Sequence, residues 1–439
     1  MCLSGKLRSG SFHYIGVAGS GMSALAQFQA MAGAKVSGSD RLFVPGGRME
    51  TRKQLEQAGI RVLPQDGSGI VPGLDGVVVS TAVEESNPEY ALALEKKIPV
   101  FHRSRVLSEW VKTFRTVAVA GTSGKSTVTA MIFEILDGCG LSPSLITGGN
   151  LLRLAEKGLM GNAFAGKSDI LVVETDESDG TLTEYRPAIG VLTNIQKDHK
   201  EIPELKALFG KFLSQCGKTA INGDGRVSAT DLDLKGSSSS FSVSGVRFWL
   251  PLPGRFNVEN ALAAAAACLA LDVPLNKMTG PLRTFKGVAR RFQAVGKKRG
   301  VTVIDDYAHN PSKVREALSA AHLKGGRIIA VFQPHGFGPT RFLKDDFIDA
   351  FSGSLAKKDI LFMPEIYYAG GTATKDISSR DIVDALKKNG VQASFFENRE
   401  EIIPAIKNAV QKDDLILVMG ARDPSLPGFS REILEAVAE

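Results

Sequence analysis

Short β-branched apolar runs alternate along the chain with stretches whose apolar positions keep helical spacing. This alternation predicts parallel sheets joined by helical crossovers, an α/β architecture. Residues 12–18 (FHYIGVA) read as a strand. From Met22 onward, apolar residues at Leu25, Phe28 and 31–32 continue as a helix until Gly33. The runs AKVSGSD (ending at Asp40), GVVVSTA and IPVFHRS extend the same sheet, and this first unit spans 1–108. A second unit, 109–283, opens with the strand TVAVAG (116–121), a glycine loop and a helix from about Ser126. It continues through DILVVETDESD and AIGVLTNI to the alanine-rich stretch ALAAAAACLALDV, which reads as a buried helix. A third unit, 284–439, carries VTVIDDYAHNP, RIIAVFQPHG, DILFMPE and LILVMGARDP, each an apolar strand running into polar or Gly/Pro residues. GSSSSFS (236–242) reads as a loop. The expected fold is three consecutive α/β domains: Rossmann-like, P-loop ATPase-like and Rossmann-like. In open sheets of this kind ligands collect at the carboxyl ends of the strands, so the polar strand tips are the candidate sites.

Composition narrows the partners. The 439 residues are 43% apolar and 23% charged, ordinary for a globular protein with a core that needs no disulfides. The net charge of +6 is scattered. No basic stripe interleaved with aromatics points to nucleic acid; a small positive balance suits anionic small molecules or simple solubility. Cys2, Cys139, Cys216 and Cys268 form no C-x-x-C, which argues against a thiolate zinc site and fits a reducing compartment. The start, MCLSGKLRSGSFHY, lacks the apolar segment of a signal peptide. No apolar stretch reaches the length of a membrane span. The expected location is cytoplasmic and away from membranes.

Two glycine loops follow strands. Gly19-Ser20-Gly21-Met22-Ser23-Ala24 fits the dinucleotide pattern G-x-G-x-x-[G/A], with Asp40 at a suitable distance. The second, in VAVAGTSGKSTVTAMI, ends in Gly124-Lys125-Ser126 but has Val119 where a P-loop has its first glycine. Its physical essentials remain. Gly121 and Gly124 let backbone N–H groups approach phosphate, and the helix N-terminus favours anions. Lys125 reaches the β/γ-phosphates, and the Ser126 hydroxyl suits Mg²⁺.

The block Gly121-Thr122-x-Gly124-Lys125-Ser126-Thr127 is similar to the variant P-loop of the Mur ligase family. Further blocks stand in that family's order: VVETDESDG (Glu174, Asp176, Glu177, Asp179), LTNIQKDH (Asp198, His199) and GRFNVENALAAAAA (Asn257, Asn260). GVARRF (Arg290, Arg291) and VIDDYAHNP (Asp305, Asp306, Tyr307, His309) follow. SGSD (37–40) and VVVSTAVEESNPEYALALEKKIPVFHR resemble the first domain of the alanine-adding branch, and the resemblance covers nearly the whole chain. It implies a ligase of peptidoglycan precursor synthesis that uses ATP, with Mg²⁺, to phosphorylate the lactyl carboxylate of UDP-N-acetylmuramate. An amino acid's amine then attacks the acyl phosphate. The three units become a UDP-sugar-binding, an ATP-binding and an amino-acid-binding domain that close around substrate, in a monomer or homodimer.

The same resemblance implies roles. Lys125 stabilises the transferring phosphoryl group, with Gly121, Thr122, Gly124 and Thr127 around it. Ser126, Glu174 and His199 are the metal ligands; a hydroxyl and a carboxylate suit a hard cation, an imidazole less so. A solvated strand end gives the same acidic pattern as Glu174. Asn260, with Asn257, takes adenine, since an amide offers both donor and acceptor; a helix N-cap is the alternative for Asn257. Arg291 meets the γ-phosphate and Asp306 the ribose hydroxyls. Tyr307, His309, His335 and Arg341 lie near the incoming amino acid. Gly19, Ser20, Gly21 and Met22, with Asp40, Ser80 and Thr81, hold the UDP half. Lys206 and Lys211 follow His199 and are assigned no role.

Two departures leave the amino acid open. The alanine-adding branch reads Tyr-Gly-His-His-Pro where this chain has Tyr307-Ala308-His309-Asn310-Pro311. Two arginines expected near the amino-acid site are Gly336 and Pro339, while Arg341 remains and Arg422 is extra. A guanidinium is the natural partner of a carboxylate, so the pocket is rebuilt. L-alanine is the expected substrate; glycine, serine or a larger amino acid is the alternative, as is a recycling ligase that attaches a tripeptide. A non-catalytic nucleotide-binding homologue and an NAD-dependent oxidoreductase are the competing classes.

Overall fold

The structure is a computed structural model that describes residues 3–44, 47–176, 181–197, 201–221, 227–368 and 374–438. The chain forms two compact units. One comprises Met1–Thr230, Ser242–Phe248 and Glu259–Val288; the other comprises Asp231–Phe241, Trp249–Val258 and Ala289–Glu439. No described helix is long and apolar enough to cross a membrane.

The first unit holds two sheets. Strands β1 (Ser11–Ile15), β2 (Lys35–Ser39), β3 (Arg61–Leu63), β4 (Gly76–Val79) and β5 (Val100–His102) lie in the order β3-β2-β1-β4-β5. All of their pairings are parallel. Helices α1 (Ser20–Met31), α2 (Met49–Gln57), α3 (Pro88–Glu95) and α4 (Arg103–Thr113) connect them or lead out. The strands stop earlier than the apolar runs do. In FHYIGVA the chain leaves β1 after Ile15, because Gly16 and Val17 give their N–H groups to the Ser39 carbonyl rather than to a ladder. In GVVVSTA pairing ends at Val79, and IPVFHRS yields a three-residue strand before Arg103 starts α4.

The second sheet is built from β6 (Arg115–Ala120), β7 (Ser144–Ile146), β8 (Ala163–Phe164), β9 (Ile170–Glu174), β10 (Ile189–Leu192) and β11 (Lys218–Ile221). Their order is β11-β10-β6-β9-β7-β8, antiparallel only between β7 and β8. Helices α5 (Lys125–Gly138), α6 (Leu152–Ala155) and α7 (Ile202–Leu213) belong to it. The alanine-rich segment is the core of α8 (Arg255–Leu269), with Ala263, Ala264, Ala265, Ala267 and Cys268 buried; α9 (Leu275–Arg283) follows. Small side chains let a helix approach closely on several sides, which is why this stretch is helical without a polar face.

Strands β12 (Thr230–Leu234), β13 (Ser239–Val243) and β14 (Val246–Leu250) form a small sheet. This corrects the loop expected over 236–242 in part: 236–238 are a turn, while 239–242 belong to β13. Ser239, Phe241, Ser242 and Val243 are buried, and the Ser239 hydroxyl donates to the Leu252 carbonyl at 2.9 Å. Serine disfavours regular structure when its hydroxyl competes for nearby backbone; a tertiary acceptor removes that competition.

The last sheet contains β15 (Gln293–Lys298), β16 (Val301–Asp306), β17 (Ile328–Gln333), β18 (Ile360–Pro364), β19 (Ala393–Phe396) and β20 (Leu415–Gly420). Its order is β15-β16-β20-β17-β18-β19, with an antiparallel β15–β16 hairpin and parallel pairings elsewhere. Helices α10 (Pro311–His322), α11 (Phe337–Phe342), α12 (Lys344–Ser354), α13 (Ser379–Lys388), α14 (Ile402–Ala409) and α15 (Leu426–Ala436) accompany it. Apolar side chains cover the sheet in two separate clusters, one with α10, α12 and α13, the other with α14 and α15. Burial on both faces explains why these strands read as continuous apolar runs.

In the first unit, Trp110 of α4 is fully buried and meets Phe28 of α1 edge-on at 5.0 Å, with the Arg8 guanidinium 5.3 Å from its ring. Replacing Trp110 by alanine should lower unfolding free energy by about 3–5 kcal/mol. Trp110→Phe should cost less, since the indole N–H is buried without an acceptor. Thermal and urea unfolding of both variants, followed by circular dichroism, checks the order.

Candidate active site

The second glycine loop, between β6 and α5, is held by its own backbone geometry and by the end of β10. Val119 sits inside β6, opposite Glu174 of β9 and Val191 of β10. The residue that breaks the P-loop pattern is therefore a strand residue, and the turn starts after it. Gly121 (φ 133°) and Gly124 (φ 78°) are in left-handed conformations that disfavour other residues. A Cβ at Gly121 would run into the Thr193 hydroxyl, and one at Gly124 into the Asn260 amide oxygen. Gly124 caps α5 without a side chain, so the first-turn N–H groups stay available to an anion. The loop is pinned to the end of β10: the Thr122 hydroxyl and the Ser123 N–H both donate to Asn194 Oδ1, at 2.9 and 3.0 Å. The Thr193 hydroxyl donates to the Ser123 carbonyl at 2.6 Å. Lys125 Nζ donates to the Gly121 carbonyl at 2.7 Å, and Thr127 is buried in α5.

Glu174, at the carboxyl end of β9, is held by several donors. Ser126 Oγ donates to Oε1 at 3.0 Å; Thr147 Oγ1 and the Gly148 N–H donate to Oε2 at 2.6 and 2.8 Å. It is thus an organised carboxylate rather than a solvated strand end. Ser126 and Glu174 place two hard oxygens side by side, a donor pair that suits Mg²⁺. His199, Asp198, Glu177 and Asp179 lie outside the described residues. Among the described residues no three His, Cys, Asp or Glu side chains gather as a metal site. Asp176 is exposed.

The first glycine loop begins at the end of β1. Gly19 caps α1 without a side-chain hydrogen bond, Ser20 is exposed and Gly21 is half-buried. The Met22 side chain is core, which leaves only its backbone to the site. Asp40 staples this loop to β2: Oδ2 accepts from the Ala18 N–H and Oδ1 from the Leu42 N–H, both at 2.9 Å. Ser80 and Thr81 follow β4, half-buried and exposed, and Ser80 Oγ accepts from the Ala82 N–H at 3.4 Å. The Arg103 guanidinium packs against the Cα of Gly21.

Asn257 lies within α8, and its Nδ2 donates to the Pro253 carbonyl at 2.7 Å, so it is not an N-cap acceptor. Asn260 is buried.

In the second unit the carboxyl ends of β16 and β17 gather a basic and aromatic group. The Arg290 and Arg291 guanidinium groups lie 5.0 and 5.1 Å from the Tyr307 ring centre. Tyr307 meets His309 edge-on at 5.5 Å, and His309 meets His335 at 5.6 Å. Arg290 also pairs with buried Asp305 at 3.1 Å. Asp306 accepts from the Phe292 N–H at 2.6 Å and the Ala308 N–H at 2.7 Å, and burial pushes its carboxyl up to about 6. Burial and the neighbouring Lys313 hold His309 well below the usual imidazole range. Its Nδ1 lies 2.9 Å from the Tyr307 carbonyl, which can only accept, so Nδ1 carries the proton and Nε2 is an open acceptor. Arg341 stands apart from this group, exposed and paired with Asp376. Arg422 is exposed.

Sequence reading passed over Thr147, Gly148 and Asn194. Thr147 and Asn194 lie one and two residues past β7 and β10, so a search for polar residues within two steps of the strand ends of the central sheet would have found both; Gly148, which contributes only its backbone N–H, carries no such signal.

Residues 11–115 match the model of the Mur ligase family, catalytic domain. Residues 119–221 match the Mur ligase middle domain, and 290–422 the Mur ligase, glutamate ligase domain. UDP-N-acetylmuramate–L-alanine ligase of Syntrophomonas wolfei is 36% identical over 97% of both chains. That of Geobacter sulfurreducens is 33% identical over 93% of this chain and 94% of its own. The crystal structure of UDP-N-acetylmuramate-alanine ligase from Thermotoga maritima superposes with a TM-score of 0.81 at 26% identity, covering 97% of this chain and 98% of that one. A murein peptide ligase from Psychrobacter arcticus shares the fold, with a TM-score of 0.70 at 21% identity and 98% and 99% coverage.

The raised Asp306 carboxyl gives a pH signature. The folded state binds its proton more tightly than the unfolded chain does, so its stabilising contribution is complete below the ordinary carboxylate range and is lost as pH rises through about 6. The stability gap between wild type and Asp306→Asn, which does not titrate, should narrow between about pH 4 and pH 7. A gap that stays constant in thermal melts across that range contradicts the assignment.

Proposed function

The chain belongs to the Mur ligase family, and we propose that within it this protein is the ATP-dependent ligase that joins L-alanine to UDP-N-acetylmuramate. The product is a peptidoglycan precursor, made in the cytoplasm. The observation that carries the reading is the juxtaposition of the Lys125–Ser126 phosphate loop with the organised Glu174 carboxylate. The amide ligase chemistry needs phosphoryl positioning and charge stabilisation more than covalent work from the protein.

On this reading the segments 1–108, 109–283 and 284–439 serve UDP-sugar, ATP and amino acid respectively. The backbone of Gly19–Met22 takes the diphosphate of the UDP half, with Asp40, Ser80 and Thr81 at its rim. ATP phosphates lie on Gly121–Thr127, and Asn260 and Asn257 serve the adenine. Lys125 leaves its loop carbonyl for the γ-phosphoryl group, which also meets Arg291, while Asp306 accepts from the ribose. The lactyl carboxylate oxygen attacks the γ-phosphorus and ADP departs. The amine nitrogen then attacks the acyl carbon, the bond to phosphate breaks and an amide forms. Ser126 and Glu174, with His199, would hold Mg²⁺, which supplies positive charge against the phosphates. Neutral His309 presents Nε2 to a proton on the incoming amine, with Tyr307 and His335 beside it.

The rebuilt amino-acid pocket fits the structure of its rim. Gly336 and Pro339 bring no cation, and Arg341 is engaged by Asp376.

ADP release should depend on UDP-N-acetylmuramate together with L-alanine, assayed beside glycine, serine and the tripeptide. Lys125→Ala should lower kcat by about 100-fold or more. Turnover only with the tripeptide makes the protein a recycling ligase. NAD binding without ADP release makes it an oxidoreductase.

A further inference from the structure

The two glycine loops are joined by one buried polar residue, Asn162, the residue just before β8. Its side chain serves α1: Nδ2 donates to the Ser20 carbonyl at 3.2 Å and to Ser23 Oγ at 3.0 Å. Gln27, one turn further along α1, donates from Nε2 to Asn162 Oδ1 at 2.8 Å and thereby sets which way the amide faces. The backbone of the same residue serves the other loop: its carbonyl accepts from the Thr147 N–H at 3.0 Å. Thr147 in turn donates to Glu174, which accepts from Ser126 of the phosphate loop. Asn162, Gln27, Ser23, Thr147 and Ser126 are each no more than 2% exposed. The bonds of Asn162 to Ser23 and Gln27 are shielded from water, where such bonds are strengthened and costly to leave unmade, and those to Ser20 and around Glu174 are partly buried.

We propose that Asn162 couples the two anion sites, so that a nucleotide diphosphate on the first glycine loop tightens binding of a nucleoside triphosphate on the second, and the reverse. The inference rests on the assignment of those loops to UDP and ATP. The physical basis is shared ordering. The first turn of α1 must be still for its N–H groups to hold a diphosphate. The Thr147–Gly148 turn must be still for Glu174 to face Ser126. Asn162 is bonded to both, so the ligand that arrives first meets the ordering cost for the second. Asn162 is a positioning residue: it touches neither ligand and acts through Ser20, Ser23 and Thr147.

The test uses the full chain and calorimetric titration with UDP, with and without saturating Mg²⁺ and a non-hydrolysable β,γ-methylene ATP analogue. In wild type the analogue should tighten UDP binding about fivefold or more, and UDP should tighten the analogue by the same factor. In Asn162→Leu and in the milder Gln27→Met that ratio should fall towards one. A merely structural change would alter each affinity but leave the ratio in place. A ratio of one in wild type, or the same ratio in wild type and Gln27→Met, overturns the proposal, whether or not Asn162→Leu folds. Failure of wild type to bind UDP and the analogue at all overturns the functional reading itself.

Discussion

The hold on the Glu174 carboxylate is the constraint on which the central site depends. A strand-end glutamate in water would turn freely and offer a cation nothing better than a solvated charge. Here one oxygen is taken by the Thr147 hydroxyl and the Gly148 N–H, and the other faces the Ser126 hydroxyl. Two of these donors follow β7, and the third lies in the helix that follows β6. β6, β7 and β9 must therefore be in register for the carboxylate to be set. Their parallel ladder does that, with Val119 opposite Glu174 and Ile146 opposite Val173. The sheet is the instrument that aims the acid.

The same logic separates the two glycine loops. As a pattern, the first passes the dinucleotide test and the second fails the P-loop test. As structure, the second is the better built: two residues with left-handed geometry, a helix start with no side-chain cap, and three hydrogen bonds to Thr193 and Asn194. The missing glycine at Val119 costs nothing, because that position belongs to the strand. A motif written as a string counts positions equally; the backbone does not.

In the second unit, burial decides the electrostatics. Asp305 and Asp306 are neighbours in a single acidic pair along the chain, yet the ladder sends them to opposite faces of β16. Asp305 pairs with Arg290, while Asp306 turns to the backbone of Phe292 and Ala308. Desolvation raises both carboxyls and depresses His309. None of this can be read from VIDDYAHNP, since the amount of water left at a side chain is a property of what packs around it.

By itself, the sequence determined the alternation of strands and helices, the α/β class, the position of both glycine loops and the family. These are local or nearly local properties: apolar period, glycine at the turn, the order of short motifs. Tertiary structure decided the rest. Strand ends fell short of the apolar runs because turn geometry, not hydrophobicity, stops a ladder. The serine-rich run became β13 because a distant carbonyl satisfied its hydroxyl. Thr147 and Asn194 acquired their parts through parallel pairing and Asn162 through the antiparallel β7–β8 pair, because strand pairing brings residues far apart in the chain to the same edge of a sheet. Hydrogen-bond partners across such an edge leave no periodic trace in the sequence.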